Sequence, residues 1–437
     1  MKLSVVGCGY LGAVHAACMA TLGHEVIAID TDKAKVEALA AGDAPFYEPG
    51  LPELLAEALG SGRLAFSSDI ADVKGAQLHF VCVGTPQLHN EIAADLSYVD
   101  AAIDSLLPHV SAGDLVVGKS TVPVGTAERL AEVLAAADTG ALLAWNPEFL
   151  REGHAVGDTL HPDRLVYGVP VGTNGERAVA LLDDVYAKTI ADGSPRLVTD
   201  VATAQLVKVA ANSFLAIKIS FINAMAELCE ATGADVTLLA DAIGHDERIG
   251  RKFLNAGLGF GGGCLPKDIR AFMARAGELG ADQTLAFLRE VDAINGRRRV
   301  RMVELARDEC GGSIAGLRVA VLGASFKPWS DDVRDSPALD VAEQLHLQGA
   351  DVVVTDPQAV ANARAMYPDM SFADSALEAA DGADLVLLLT EWPEYVGLDP
   401  ETLGGVVRQR RILDGRLALD PIAWRAAGWV YRSLGRP

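Results

Sequence analysis

The segment with the clearest chemical potential is residues 259–268, which read Gly-Phe-Gly-Gly-Gly-Cys-Leu-Pro-Lys-Asp. Glycines allow a backbone to come close to a ligand, Pro266 suits a first helical turn, and a helix N-terminus favours a thiolate. Cys264 and Asp268 are four residues apart, so a thiol and a carboxylate would share one helix face. The segment therefore predicts a reactive thiol beside a group that moves a proton or positions water. The alternative is a buried, inert cysteine after a cluster of glycines.

Two further pairs of polar residues have the same spacing. Lys208 and Asn212 would share one face of a helix, where an ammonium and an amide can stabilise an oxyanion. Glu148 and Glu152 follow an expected strand, and the carboxyl end of a strand is a common place for catalytic or positioning side chains. The alternative for each pair is an ordinary solvated surface position.

The N-terminal segment predicts a dinucleotide site. Residues 7–12 read Gly-Cys-Gly-Tyr-Leu-Gly, and this G-x-G-x-x-G pattern follows an apolar strand and opens an Ala-rich helix. The next strand ends at Asp30, where a carboxylate would accept hydrogen bonds from a ribose diol and disfavour a 2′-phosphate. NAD is therefore expected rather than NADP. Lys35 is expected to flank the adenosine, the alternative being a solvated lysine.

Composition excludes several classes of partner. A net charge of −22, from 37 Lys and Arg against 59 Asp and Glu residues, argues against nucleic acid and an anionic membrane surface. Any anionic ligand must then be held by a local basic cluster. The six cysteines lack metal-ligand spacing, so we expect no metal site and reduced thiols in a cytoplasmic protein. The run Arg297-Arg298-Arg299 is expected on the exposed face of a helix at a domain junction.

The order of apolar segments predicts three domains, namely two Rossmann-like doubly wound parallel sheets (α/β) joined by a central all-helical domain. Residues 1–198 form the first, with strands expected at 2–6, 25–30, 78–83, 114–118 and 141–145. Residues 199–309 show a helical pattern, in which Thr199 or Asp200 is expected to cap a long helix that runs to about Glu230.

Residues 310–437 form the third domain and contain a diverged internal repeat. Residues 318–323 echo residues 2–7, and residues 349–356 echo residues 23–30. The second and third glycines of the N-terminal turn have no counterparts after Gly323. We therefore expect that the second sheet does not bind a dinucleotide in the usual way.

Taken together, these segments resemble the nucleotide-sugar 6-dehydrogenases of the UDP-glucose/GDP-mannose dehydrogenase family, along nearly the whole chain. The matching segments are residues 7–12, 47–51, 83–86, 119–126, 146–153, Lys208 with Asn212, 246–250, 259–268, 326–328, 332–337 and 414–416.

The resemblance implies a four-electron oxidation in which a sugar C6 alcohol becomes a carboxylate while two NAD are reduced in turn. Cys264 would capture the intermediate aldehyde as a thiohemiacetal, which a second hydride transfer converts to a thioester for hydrolysis. Lys208 and Asn212 would stabilise oxyanions, and Asp268 would assist proton transfer with an ordered water. Glu152 and Thr121 would lie near that water.

The resemblance also implies which residues contact the two ligands. The cofactor contacts would be Gly7, Gly9, Tyr10, Leu11, Gly12, Asp30, Lys35, Thr85, Pro86, Ser120, Thr121, Glu152 and, at the pyrophosphate, Arg334. The substrate contacts would be Glu148, Phe149, Leu150, Glu152, Lys208, Asn212, Arg248, Phe260, Gly261, Lys267, Phe326, Lys327 and Arg416. The second sheet would hold the uridine end, and Arg248 would reach the neighbouring site of a homodimer formed through the helical domain.

Three alternatives remain open from the sequence. The segment at 246–250 is typical of the UDP-glucose branch, whereas Leu265 and Gly84 also occur towards the GDP-mannose branch. A two-electron hydroxyacid or 6-phosphogluconate type dehydrogenase would also carry the Lys208 and Asn212 pattern, but it would need neither Cys264 nor the second sheet. A regulatory NAD-binding protein on the same fold would be expected to have lost the polar site residues.

Overall fold

The computed structural model describes residues 1–89 and 91–436, so Pro437, the end of the predicted third domain, lies outside it. It contains two compact units. The first comprises Met1–Ala211 with Arg270–Gly280, and the second comprises Asn212–Ile269 with the C-terminal part of the chain from Ala281.

The helices of the two units are α1 Tyr10–Thr21, α2 Lys33–Ala40, α3 Leu51–Gly60, α4 Ser97–Leu106, α5 Thr126–Ala136, α6 Ala155–Leu160, α7 Thr173–Val185, α8 Ala187–Ala191, α9 Val201–Thr232, α10 Val236–Gly244, α11 Leu265–Glu278, α12 Phe287–Glu309, α13 Pro337–Leu347, α14 Val360–Met366, α15 Ala376–Ala380, α16 Pro393–Val396, α17 Pro400–Gly404 and α18 Pro421–Ala426. Single 3₁₀ turns occur at Ile70–Val73, Leu107–His109 and Asp282–Leu285.

The first unit is built on an eight-stranded sheet in the order β3-β2-β1-β4-β5-β6-β7-β8. Its strands are β1 Lys2–Val6, β2 Glu25–Ile29, β3 Leu64–Ser67, β4 Leu78–Val81, β5 Leu115–Gly118, β6 Leu142–Trp145, β7 Leu165–Gly168 and β8 Arg196–Thr199. The central strands β4 and β5 are buried along their whole length, because helices cover both faces of the sheet. The ligand-binding side chains are therefore expected at the carboxyl ends of these strands.

The predicted doubly wound α/β fold is confirmed, with one difference in strand direction. The five strands expected from the sequence are present, and β3, β7 and β8 are additional. Strand β7 pairs antiparallel with β6, at Trp145 and Gly168, and β8 runs parallel to β7. Apolar patterns give the length of a strand but not its direction, so this reversal had no signal in the sequence.

The second unit contains a six-stranded sheet in the order β11-β10-β9-β12-β13-β14, with every pair parallel. Its strands are β9 Arg318–Leu322, β10 Asp351–Thr355, β11 Ser371–Phe372, β12 Leu385–Leu388, β13 Arg411–Asp414 and β14 Val430–Ser433. Both halves of the predicted internal repeat are strands, and β9 lies between β10 and β12 as β1 lies between β2 and β4.

The predicted long helix is α9, and Asp200 caps it. The Thr203 N–H donates to Asp200 Oδ1 at 2.7 Å, so a side-chain oxygen satisfies one of the free donors of the first turn. By length and composition α9 resembles a membrane span. However, it buries polar side chains such as Ser220 and Asn223 within the fold, which is typical of a core helix in a soluble protein.

The prediction for the basic run on α12 is wrong for two of its three residues. Arg297 is exposed and lies near Glu227, but Arg298 and Arg299 are buried. Arg298 forms an ion pair with Glu230, and Arg299 forms ion pairs with Asp335 and Asp340. A run of consecutive arginines is usually solvated. Arg298 and Arg299 are buried because each pairs with acidic residues that are distant in the sequence.

Candidate active site

The turn between β1 and α1 has the geometry of a dinucleotide-binding loop. Gly7 has a φ of +94°, which only glycine adopts without strain, and a Cβ at Gly12 would overlap the Gly7 carbonyl oxygen. A Cβ at Gly9 would instead meet nothing within 4 Å. Because α1 begins at the next residue, Tyr10, this open space faces a helix N-terminus, where a pyrophosphate fits.

Asp30 follows β2 and braces this turn. Its Oδ2 accepts the Cys8 N–H at 2.8 Å and lies 3.1 Å from Lys35 Nζ, while Oδ1 accepts the Asp32 N–H at 3.0 Å. The alternative reading of Lys35 as a purely solvated lysine is wrong, since Lys35 forms an ion pair with Asp30. The carboxylate is therefore fixed at the position from which NAD-binding folds hold a ribose.

The equivalent position in the second sheet is Asp356, and it has a different environment. Asp356 Oδ2 accepts the N–H groups of Ala324 and Ser325 and the indole N–H of Trp392 at 3.1 Å. The residue is 5% exposed, and its other oxygen accepts two more backbone N–H groups. Both oxygens of this carboxylate accept hydrogen bonds from the protein itself. This supports the prediction that the second sheet is not a usual dinucleotide site.

Four of the expected cofactor contacts come together where β4 and β5 end. Ser120 Oγ donates to the Val83 carbonyl at 2.6 Å, and Thr85 Oγ1 donates to the Thr121 carbonyl at 2.8 Å. The segment carrying Thr85 and Pro86 is thereby joined to the segment carrying Ser120 and Thr121. Leu11, another expected contact, is half-buried in α1.

Lys119 is a buried charge in the same region that sequence reasoning missed. Its Nζ lies 2.9 Å from Asn146 Oδ1 and 3.3 Å from the Tyr186 hydroxyl, and the residue is 6% exposed. Burial lowers the pKa of Lys119 to about 8, although the nearby Cys82 and Glu148 oppose this shift. The sequence did contain a signal for this buried charge, because Lys119 directly follows the apolar strand β5.

Glu148 and Lys208 form a buried ion pair. Lys208 Nζ lies 2.8 Å from Glu148 Oε1, and Glu148 Oε2 accepts the Leu150 N–H at 2.6 Å. The Phe149 ring lies beside this pair, with its centroid 5.7 Å from Lys208 Nζ. The same centroid lies 3.8 Å from the guanidinium carbon of Arg164. The surface alternative for Lys208 is therefore wrong, since the residue is 4% exposed.

Glu48 is a second missed residue, and it holds the backbone next to Glu152. Its carboxylate accepts the Gly153 N–H at 2.6 Å and the Ala155 N–H at 2.7 Å, and it also accepts the hydroxyl of Tyr10. The pKa of Tyr10 is raised well above its usual value, mainly by burial and next by this hydrogen bond to Glu48. Glu48 thus joins the start of α1 to the segment that carries Glu152.

In the second unit, Cys264 is exposed and stands immediately before α11, with Pro266 in the first turn. The Asp268 N–H donates to the Cys264 carbonyl at 2.9 Å. The expectation of a thiol at a helix N-terminus is therefore confirmed, and the alternative of a buried cysteine is wrong. The remaining cysteines are buried, apart from the half-buried Cys310, and in the described part of the chain none of the six forms a disulfide.

Asp268 joins two other predicted site residues. Its Oδ2 accepts the Asn212 Nδ2–H at 2.6 Å, and its Oδ1 lies 3.0 Å from Lys267 Nζ. Asp268 is 1% exposed and Asn212 is 8% exposed, so the surface alternative for Asn212 is also wrong. An amide, a carboxylate and an ammonium therefore meet on the first turn of α11.

The glycines before Cys264 belong to a segment that we call the glycine loop, residues 257–263. A Cβ on Gly259 would overlap Asn295, one on Gly261 the Asp335 carbonyl, one on Gly262 the Phe326 ring, and one on Gly263 the Arg334 guanidinium. The sequence expectation was that these glycines approach a ligand. Each of the four has a protein neighbour at the place where a Cβ would stand, and the approach of this backbone to a ligand stays a prediction.

The expected basic contacts of the second unit have distinct surroundings. Arg416 donates to three carbonyls, of Leu389, Gly259 and Phe326. Arg334 forms two hydrogen bonds with Asp332, each 2.8 Å long, and is largely exposed. Lys327 Nζ lies 5.3 Å from the centroid of the Phe326 ring.

Arg248 differs from the other basic residues because it is almost fully exposed. Its side chain is 89% accessible and forms an ion pair with Asp246 through two hydrogen bonds. Within the described residues, no group of three or more His, Cys, Asp or Glu side chains is arranged to hold a metal ion.

The fold and these sites define an NAD-dependent dehydrogenase that has a second Rossmann-like sheet. Three family descriptions match the chain: the NAD binding domain of the UDP-glucose/GDP-mannose dehydrogenase family over residues 1–190, its central domain over 202–297, and its UDP binding domain over 320–421. The chain belongs to the UDP-glucose/GDP-mannose dehydrogenase family. The expected enzyme class and the NAD cofactor are thereby confirmed.

Full-length relatives agree with this assignment. The chain is 40% identical to a UDP-glucose 6-dehydrogenase of Rhizobium meliloti, covering all of both chains. It is 38% identical to the UDP-glucose 6-dehydrogenase TuaD of Bacillus subtilis, covering all of this chain and 93% of that one. A UDP-glucose dehydrogenase structure from Pyrobaculum islandicum has a TM-score of 0.90 and 39% identity, covering all of this chain and 98% of the other.

Proposed function

We propose that this enzyme oxidises the C6 alcohol of UDP-glucose to the carboxylate of UDP-glucuronate, with reduction of two NAD⁺. The observation that carries the proposal is the exposed Cys264 at the start of α11, in a chain 40% identical to a UDP-glucose 6-dehydrogenase over its full length. A four-electron oxidation needs a means of holding the intermediate aldehyde, and an accessible thiol provides one.

The chemistry balances in four steps. Bound NAD⁺ supplies a hydride acceptor twice. The C6 alcohol first loses a hydride and a proton to give the aldehyde. The Cys264 sulfur then bonds to C6, with a proton going to oxygen, and loss of a second hydride and that proton gives a thioester. Water cleaves the C–S bond, which releases the carboxylate and restores the thiol.

The polar residues of the site have roles that follow from their charges and partners. Lys208 and Asn212 stabilise negative charge on the C6 oxygen, and both are buried, where such interactions are strong. Asp268 accepts or returns a proton through a water that Thr121 and Glu152 help to hold. Glu148 keeps the Lys208 ammonium in place through the 2.8 Å ion pair.

The ligand contacts are proposed from the segments that match the family. Residues 7–12, Asp30 and Lys35 hold NAD together with Thr85, Pro86, Ser120 and Thr121, and Arg334 reaches the pyrophosphate. The nucleotide sugar is held by Glu148, Phe149, Leu150, Phe260, Gly261, Lys267, Phe326, Lys327 and Arg416. The three-domain division at 198/199 and 309/310 likewise remains a prediction.

We also propose a cytoplasmic homodimer formed through the helical segment. Three large apolar side chains of α9, Phe214, Phe221 and Leu228, are 63%, 48% and 57% exposed. They are seven residues apart, so they form a stripe along one side of the helix. The exposed Arg248 is the residue proposed to reach the neighbouring site.

The first test counts NADH. Purified enzyme with limiting UDP-glucose and excess NAD⁺ should form two NADH for each UDP-glucose consumed, and a yield of one would contradict the four-electron reaction. Cys264→Ala should abolish turnover because no thioester can form, while NAD binding measured by titration is retained. Cys310→Ala, a change in the other incompletely buried cysteine, is the matched control and should keep full activity.

The second test concerns the substrate. UDP-glucose, GDP-mannose and UDP-N-acetylmannosamine are compared under the same NAD⁺ concentration. The largest kcat/KM is expected with UDP-glucose, and a larger value with GDP-mannose would assign the enzyme to the other branch, as Leu265 and Gly84 allow.

A further inference from the structure

A single side chain of α12 holds the glycine loop from two directions. Asn295 Oδ1 accepts the Phe260 N–H at 2.8 Å, and Asn295 Nδ2 donates to the Phe260 carbonyl, also at 2.8 Å. The side-chain amide therefore pairs with the backbone of one residue as a neighbouring β-strand would. Asn295 is 2% exposed, so water does not compete for either hydrogen bond.

The same face of α12 contributes a second contact one turn later. Arg299 Nη2 donates to the Phe260 carbonyl at 3.3 Å, and Arg299 Nη1 lies 3.1 Å from Asp335 Oδ1. Directly before Phe260, a Cβ on Gly259 would overlap Asn295 Oδ1, so the chain passes against the amide without room for a side chain. The position of Phe260 is thus fixed by contact as well as by hydrogen bonds.

Little freedom remains between Phe260 and the thiol. The Gly262 N–H donates to the Arg334 carbonyl at 2.9 Å, and the Gly263 N–H donates to Asp332 Oδ2 at 3.2 Å. The Cys264 carbonyl accepts the first hydrogen bond of α11. Phe260 and Cys264 are four residues apart in this held segment, so the position of Phe260 helps to set the path of the backbone into Cys264.

We propose that Asn295 is a positioning residue for the Cys264 thiol, and this inference rests on the proposed function. By fixing Phe260, Asn295 places the sulfur for addition to the aldehyde. The first hydride transfer does not use the sulfur, so it should depend much less on Asn295. This difference separates positioning from a general contribution to the fold.

Asn223 provides a matched control. It is also a buried asparagine, 0% exposed, and its Oδ1 accepts the Gly257 N–H at 2.9 Å at the opposite end of the glycine loop. Its replacement removes a comparable buried hydrogen bond, but at Gly257, which is more distant in sequence from Cys264 than Phe260 is. Asn223→Ala should therefore lower stability without changing the balance between the two oxidation steps.

The experiment compares Asn295→Ala, Asn295→Asp and Asn223→Ala in the full chain with UDP-glucose and NAD⁺. Semicarbazide is present to trap released aldehyde. We measure kcat, KM for UDP-glucose, NADH formed per UDP-glucose consumed, and the rate at which iodoacetamide alkylates Cys264. For Asn295→Ala, kcat should fall about 10- to 100-fold, because displacement of a reacting group by about 1 Å has an effect of this size. KM for UDP-glucose should rise less than kcat falls, because Phe260 is only one of the proposed contacts to the nucleotide sugar.

The NADH yield is the deciding measurement. In Asn295→Ala it should fall from two towards one as semicarbazide captures aldehyde, and Asn295→Asp, which keeps the acceptor for the Phe260 N–H, should give an intermediate yield. A yield of two in both variants would overturn the inference while leaving the proposed function intact. If Asn295→Ala does not fold, Asn295→Asp is judged by the same criterion. Continued turnover of Cys264→Ala would instead reject the thiol mechanism itself.

Discussion

At the end of β5, the Lys119 ammonium is held inside the first unit by neutral partners. Asn146 and Tyr186 accept its hydrogen bonds, and the Phe80 ring centroid lies 5.6 Å from Nζ. A buried ammonium that is hydrogen-bonded to neutral groups loses much of its hydration, which is why its pKa is lowered to about 8 despite the nearby Glu148. The charge also lies next to Asn146, which begins the segment that carries Glu148.

This burial gives a pH dependence whose sign can be derived. Between the folded pKa of about 8 and the ordinary value of 10.5, the unfolded chain keeps a proton that the folded chain has released. The contribution of Lys119 to stability therefore rises with pH, by at most about 1.4 kcal/mol per pH unit. Urea unfolding of the wild type and Lys119→Met at about pH 7.5, 8.5 and 9.5 should show the difference shifting in favour of the wild type. A difference that stays constant with pH would contradict this environment for Lys119.

The spacing of residues predicted which side chains share a helix face, but it did not predict their partners. Cys264 and Asp268 flank the first turn of α11, as their four-residue spacing indicated. The partner of Lys208 is Glu148, 60 positions earlier, and the partner of Asp268 is Asn212. Such pairings depend on how elements pack, and a helical period carries no information about them.

At the scale of elements, the glycine loop shows why consecutive glycines are needed before Cys264. The neighbours of these residues differ in how easily they can move. The Asp335 carbonyl beside Gly261 is backbone, whereas the Arg334 guanidinium beside Gly263 is the end of a flexible, 62% exposed side chain. The loop thus has positions of unequal tolerance although its sequence looks uniform.

Gly261→Ala and Gly263→Ala test this difference, because neither glycine has a positive φ that would add backbone strain. Gly261→Ala should lower the free energy of unfolding by about 2 kcal/mol, since backbone must shift to accept the new methyl group. Gly263→Ala should change it by less than about 0.5 kcal/mol because Arg334 can rotate away. Chemical denaturation of both variants provides the measurement, and equal losses would show that Arg334 is as rigid as the backbone.

The internal repeat offers a second pair of matched positions, Asp30 and Asp356. Asp30→Ala should weaken NAD binding about tenfold, because the proposed hydrogen bonds to the ribose are lost, and should cost about 1 kcal/mol of stability, because the Cys8 N–H loses its acceptor. Asp356→Ala should leave NAD affinity unchanged but cost about 3 kcal/mol, because several buried donors, including the Trp392 indole, lose their acceptor. NAD titration and thermal unfolding separate the two outcomes. Weaker NAD binding in Asp356→Ala would argue against a purely structural role for that carboxylate.

At the scale of the whole molecule, much of the architecture was predictable from the order of apolar segments. Five strands of the first sheet (β1, β2, β4, β5 and β6), the two repeat strands β9 and β10 of the second sheet, and the helix α9 are where the sequence placed them. The edge strands were not, because β8 is largely exposed and lacks the apolar run of a buried strand. The reversal of β7 depends on how the chain returns to the sheet, which is a tertiary property.

The apolar stripe of α9 leads to a prediction about assembly. Phe221→Glu places a charge in the middle of the stripe between Phe214 and Leu228, so it should shift the proposed dimer towards monomer. Sedimentation velocity over a range of protein concentrations measures this shift. Leu347→Glu, a change at an exposed leucine at the end of α13, is the control and should leave the distribution unchanged. An unaltered dimer in Phe221→Glu would place the interface elsewhere.

The hydrogen bonds of the glycine loop also affect how this part of the backbone exchanges with solvent deuterium. The amides of Gly257, Leu258, Phe260, Gly262 and Gly263 are all donors, and their acceptors come from other parts of the second unit. Exchange at these amides therefore requires an opening of the surrounding structure, rather than the local fluctuation expected of a glycine-rich loop. The segment before the exposed thiol should exchange as slowly as a strand of the core.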